Sequence, residues 1–226
     1  MRNRFTAIVF LSGTAAALTA QHLKNLEPAS HVKPGDAIVI GFLGGFEKWD
    51  DGNRSVRRVA LDLRGPRVHA ETVTNRNVHT ALKFIERARQ AHPRVVIFGQ
   101  SLGGSATVEL ARALNARHIP VELTIQVDSV GLRDGVIPEN VRSAANYYQH
   151  NPLTVWGRAE IRAADPFQTR IIGNFERQYA MFDSSFSRTG SSWARRHLGG
   201  GHARMEADTD LWTEVQQLIR KALERR

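Results

Sequence analysis

The chain has 226 residues, 42% of them hydrophobic, a formal net charge of +9 and no cysteine. That length and composition suit one folded domain with a substantial core, and exclude a disordered or repetitive chain, disulfides, a lipid-anchored cysteine, thiol catalysis and zinc–thiolate sites. The positive charge is scattered, with short knots at Arg57-Arg58, Arg195-Arg196 and Arg225-Arg226, so no nucleic acid is expected as partner, while a basic surface leaves room for peripheral contact with an anionic membrane.

In chain order, Met1-Arg2-Asn3-Arg4 is a basic start, Phe5 to Leu11 is apolar, and small residues run through Ala15-Ala16-Ala17 to Ala20. That order reads as an export signal over residues 1–20, which implies a periplasmic or secreted protein. Residues 21–35, with Pro28 and Pro34, read as a linker. The folded domain is then 36–226. Asp36 to Ile40 reads as a buried strand running into the glycine-rich Gly41-Phe42-Leu43-Gly44-Gly45. Asn53 to Leu63 has helical spacing, Arg67 to Val73 alternates as a strand, and Val78, Leu82, Ile85 and Ala88 mark a helix stopped by Pro93. Arg94 to Phe98 is a strand, Ser105 to Ala116 a helix, and Val121 to Val127 a strand opened by Pro120.

Beyond Asp128 the pattern loosens. Asn140 to Tyr148 is expected to be helical, Glu160 to Phe175 to carry a further strand, and Asp183 to Gly201 to be a long loop. Leu211, Val215, Leu218, Ile219 and Ala222 form one face of a closing helix. Strands and helices that alternate this strictly predict an α/β fold, a mostly parallel central sheet with helices on both faces. The unbroken apolar runs AIVI and VVIF suit strands buried on both sides.

Chemistry concentrates after the second of those runs, in Gly99-Gln100-Ser101-Leu102-Gly103. A serine between glycines, after a strand and before a helix, sits on a sharp turn that lifts its hydroxyl out of the sheet. The plainer alternative is a glycine-rich turn with a bystander serine, and the strand–turn–helix context favours the nucleophile. A serine needs a base. His202, in Gly199-Gly200-Gly201-His202-Ala203, stands in an expected loop before the last helix, with His197 as the competitor. An imidazole base needs a carboxylate to orient it. Asp128 ends the strand after the serine's own, and Asp165, Asp134 and Asp183 compete with it. The backbone amides of Leu102 and of Phe42, in the loop of IVIGFLGG, are the expected oxyanion donors. No metal-ligand spacing or phosphate-binding glycine pattern occurs, so neither metal nor cofactor is expected.

Together these residues resemble the α/β-hydrolase superfamily, from about Asp36 to the C-terminus, in the order oxyanion loop, Ser101, Asp128, His202. An acid directly after the strand following the nucleophile's resembles the placement in pancreatic-type lipases. The stretch VDSVGLRDGVIPENVRSAANYYQ is similar to poorly characterised bacterial hydrolases. The resemblance implies hydrolysis of an ester, thioester or amide through an acyl-serine, without a cofactor, on a small-molecule ester or lipid. The pocket is expected from Gly131 to Arg196, with Tyr147, Tyr148, Trp156, Phe167 and Trp193 as candidate lining, although core packing competes for most of them. The alternative from another class is a non-catalytic binding protein on the same scaffold, recognising an anionic partner.

Overall fold

The computed structural model describes residues 31–45, 47–48, 51–150, 157–179 and 200–224. The expected export signal, His197, Asp183, Trp156 and Trp193 lie outside the described residues, as does most of the expected linker. Val32, at the end of that linker, is buried in the core, so the packed unit starts slightly before Asp36.

The elements run β1 (Ala37–Leu43), α1 (Ser55–Leu63), β2 (Val68–Thr74), α2 (Val78–Arg87), β3 (Arg94–Gln100), α3 (Leu102–Asn115) and β4 (Val121–Val127). Then come the two-residue β5 (Val136–Ile137), β6 (Val141–Tyr148), the two-residue β7 (Arg162–Ala163), β8 (Arg170–Glu176), α4 (Gly200–Ala207) and α5 (Thr209–Glu224). Six strands form one sheet in the order β2-β1-β3-β4-β6-β8, every neighbouring pair parallel. The small strands β5 and β7 pair separately.

Alternate strand residues feed two cores, as the period of two requires. Ile38, Ile40, Val95 and Ile97 face α2 and α3, which contribute Leu82, Ile85, Leu110 and Leu114. Val39, Val96, Phe98 and Ile125 face α1 and α5, which contribute Val56, Leu63, Leu211 and Ile219. Helices therefore cover both faces, the α/β layout expected of the sequence. Among the described residues no helix is long and apolar enough to cross a membrane.

Two expectations fail here. Asn140 to Tyr148 is not helical: Val141–Tyr148 is strand β6, inserted between β4 and β8. It finds partners across the chain, with Asn146 Nδ2 donating to the carbonyls of Arg158 at 2.8 Å and Ala159 at 3.2 Å. Likewise β1 extends to Leu43, so Gly41 and Phe42 belong to the strand, not to a loop.

The order in which the strands are laid down reverses direction at β1, with β2 added on one side and β3 on the other. At such a switch point the loops leaving the carboxyl ends of two adjacent strands diverge to opposite faces and open a crevice. The loop after β1 and the turn after β3 flank that crevice.

Candidate active site

The turn after β3 has the geometry its glycines imply. Ser101 stands at φ 58° and ψ −127°, a left-handed conformation that costs a non-glycine residue on the order of 1–3 kcal/mol. The surrounding bonds hold it there. The Ser101 amide donates to the carbonyl of Val127 at 2.9 Å, while the Ser101 carbonyl accepts from Gly104 at 3.0 Å and Val130 at 3.2 Å. The glycines are sterically required. A Cβ on Gly99 would lie 2.3 Å from the Gly103 carbonyl oxygen, and one on Gly103 would lie 2.1 Å from that of Phe42. Helix α3 starts directly at Leu102, three residues earlier than its apolar pattern suggested. Its first amides thus point away from the helix at the serine, where a helix N-terminus favours negative charge.

Asp128 follows β4, the strand next to β3, on the same edge of the sheet. It is fully buried and also left-handed, at φ 46°. Three donors converge on its carboxylate. The Gly157 amide donates to Oδ1 at 2.6 Å, Gln149 Nε2 donates to Oδ2 at 3.1 Å, and His202 Nδ1 lies 2.5 Å from Oδ2. A Cβ on Gly157 would fall 2.5 Å from Asp128 Oδ1, so only glycine lets that strand of backbone approach. With Asp128 ionised, the imidazole donates from Nδ1 and keeps a lone pair on Nε2. His202 is 21% exposed on its side chain, against none for Asp128, so it forms the solvent side of the pair.

The structure thus brings together Asp128 and His202, and sets Ser101 one strand away at the same edge. The Ser101 hydroxyl is not hydrogen-bonded to the imidazole. Asp165 stands elsewhere: it caps the turn before β8, with Oδ1 accepting the Phe167 amide at 2.8 Å, at the edge where parallel strands begin. Asp134 is committed to Ser129 and Arg158.

Three details differ from expectation. His202 is not in a loop but in the first turn of α4. That helix is anchored by Trp212 Nε1 donating to the Met205 carbonyl at 3.1 Å and by Gly201 packing on Gln149. Asp208 caps the next helix, accepting the Asp210 and Leu211 amides at 3.1 and 3.0 Å. Phe42 is fully buried in β1, in register with Val73 and Gly99, and so lies within the strand and not in the loop after it, where it was expected. That loop opens at Gly44, whose amide donates to Glu47 Oε2 at 2.9 Å. Phe167 is fully exposed and lines no pocket, whereas Tyr147 takes the core role that competed for it, 5.1 Å from Phe175.

Sequence reasoning missed Gln149, Gly157 and a charged cluster beside His202. In the cluster, Arg54 Nη1 lies 3.0 Å from Glu206 and 3.7 Å from Glu47, and its Nε lies 2.8 Å from Asp51. Burial raises the carboxyl of Glu206 to about 7 with Glu47 adding to the rise, and burial also raises Glu47, against the pull of Arg54 and the Gly44 amide. Only Glu206, four residues after His202 and so on the same helix face, carried a sequence signal.

No family model and no curated protein matches the sequence. A solved structure titled "RedJ with PEG molecule bound in the active site" is similar over 67% of this chain and 81% of that one, at 12% identity and a TM-score of 0.38. A likeness that distant carries no argument about fold or function.

Proposed function

We propose that the protein is a serine hydrolase that cleaves a carboxylic ester or thioester through an acyl-serine intermediate. The observation that carries this reading is the hydrogen bond between buried Asp128 and His202, on the sheet edge where Ser101 is held in a strained turn. A structural histidine–aspartate pair does not require a left-handed serine on the neighbouring strand.

In this reading His202 Nε2 removes the Ser101 proton as Oγ attacks the substrate carbonyl. Asp128 keeps the imidazole in the needed tautomer and offsets the charge it gains. The oxyanion is held by the Leu102 amide, at the start of α3. The second donor, expected at Phe42, is reassigned to the loop past Leu43, with Gly45 the residue that packs against Leu102. Collapse of the tetrahedral adduct passes the proton from His202 to the leaving alcohol or thiol, and water then repeats the cycle on the acyl-serine. Closing the sequence requires the Ser101 hydroxyl and Nε2 to come within hydrogen-bond reach when substrate binds, since catalytic hydrogen bonds often tighten only in the occupied site.

A fluorophosphonate probe tests the proposal. It should label Ser101 alone, and Ser101→Ala should abolish both labelling and p-nitrophenyl ester hydrolysis while leaving the thermal melt in place. Equal turnover in Ser101→Ala would remove the enzymatic reading.

A further inference from the structure

Two separate parts of the chain, the loop between β1 and α1 and the helix carrying His202, meet at Arg54. It precedes α1, and its guanidinium reaches Glu47 in the loop after β1 and Glu206 on the helix carrying His202, 152 residues away. All three side chains are largely buried, with 15% of Arg54, 5% of Glu47 and 13% of Glu206 exposed. The junction is reinforced by backbone. Ser55 Oγ donates to the Glu206 carbonyl at 2.5 Å, and Arg58 Nη2 donates to Ser55 Oγ at 2.7 Å. On the loop side, Glu47 Oε2 holds the Gly44 amide.

We propose that Glu47, Arg54 and Glu206 are positioning residues, which lock the loop after β1 to the His202 helix and place a carboxylate pair beside the imidazole. The proposal rests on the hydrolase reading for its catalytic meaning, though the lock itself does not. A site whose donors and base come from different loops gains rate only if they are held in fixed register, because a displacement of about 1 Å costs on the order of 100-fold. No strand or disulfide joins the two segments among the described residues; Arg54 and Ser55 do.

Charge supports the same view. Arg54 is shared between the two buried carboxylates, and burial raises both carboxyls. The charge of His202 favours ionisation of both Glu47 and Glu206, which places the imidazole within their field. The groups that face that imidazole are Asp128 after β4, in hydrogen bond with it, and Glu47 from the loop after β1 and Glu206 on its own helix, which feel its charge; Arg54 and Asp51 join the cluster through them.

The test uses the full chain with Arg54→Ala, Arg54→Lys and Glu206→Gln, read by amide hydrogen exchange and by hydrolysis. Arg54→Ala should speed exchange about tenfold or more at Gly44 and Glu47 and at Met205 and Glu206 together, leaving β3 and β4 unchanged. It should lower kcat by more than about tenfold with KM within about threefold. Arg54→Lys, which keeps the charge and is the variant to use if the alanine form does not fold, should recover part of both effects. Glu206→Gln should change the shape of the kcat–pH profile near neutrality, which a purely structural contact would not. Faster exchange in one segment alone, or in both with kcat within about threefold of the parent, would overturn the proposal. If the parent protein fails to label with fluorophosphonate, the hydrolase reading falls while the exchange measurement still decides the lock.

Discussion

Replacing Asp128 by asparagine alters one atom in a site that water does not reach. The carboxylate accepts from Gly157 through Oδ1, and from Gln149 and His202 through Oδ2. Asparagine will keep its oxygen on the Gly157 amide, since that contact is backbone and cannot adapt. Its NH2 must then occupy the Oδ2 position and face two donors. Gln149 can answer by turning its amide over. His202 can answer only by changing tautomer, accepting at Nδ1 and carrying its proton on Nε2. That tautomer has no lone pair for the serine proton. The expected loss in kcat is about 10²–10⁴, equivalent to about 3–5 kcal/mol of transition-state stabilisation. Stability should fall by only about 1–3 kcal/mol, the worth of one charge-assisted hydrogen bond. Ester hydrolysis across a pH series, with a thermal melt on the same samples, measures both. Asp165→Asn is the control, since Asp165 caps a turn at the opposite sheet edge, and its kcat should stay within about twofold. Activity in Asp128→Asn within about tenfold of the parent would refute the orienting role of this carboxylate.

Gly103→Ala should destabilise the fold by about 3 kcal/mol or more, because the new methyl would lie 2.1 Å from the Phe42 carbonyl oxygen and 2.8 Å from that of Leu43, both backbone; urea unfolding with a change under about 1 kcal/mol would contradict the elbow packing. Glu206, whose folded carboxyl is raised to about 7 from 4.5, binds its proton more tightly folded than unfolded. Its contribution is therefore fully present below pH ~4.5 and lost as pH rises through about 7, a swing of at most about 3 kcal/mol. Unfolding free energies at pH 5 and pH 8 should differ more in the parent than in Glu206→Gln, and identical pH dependence would show that the group titrates normally. For export, N-terminal sequencing of protein from the envelope fraction should find a chain beginning at or just before Gln21, and an intact Met1 on cytoplasmic protein would count against it.

The sequence by itself determined the parts whose physics is local. Apolar runs such as Val95–Phe98 can be satisfied only as strands buried on both sides, so the parallel sheet and its helices were legible from alternation. Gly99 and Gly103 announced the turn at Ser101, because no other residue tolerates backbone oxygens 2.3 and 2.1 Å from its Cβ position. Tertiary structure decided what local pattern leaves degenerate. Val141–Tyr148 becomes a strand since β4 and β8 offer it ladders on both sides and Asn146 finds distant carbonyls. His202 joins a helix rather than a loop because Gln149 packs on its first turn while Trp212 and Ser55 hold the carbonyls of Met205 and Glu206 in its last. Asp128 meets His202 while Asp165 stands at the other edge of the sheet, a separation set by strand direction. Arg54 and Glu206 meet across 152 residues of chain. A contact of that separation depends on the closure of every intervening loop, and no periodicity in the sequence encodes it.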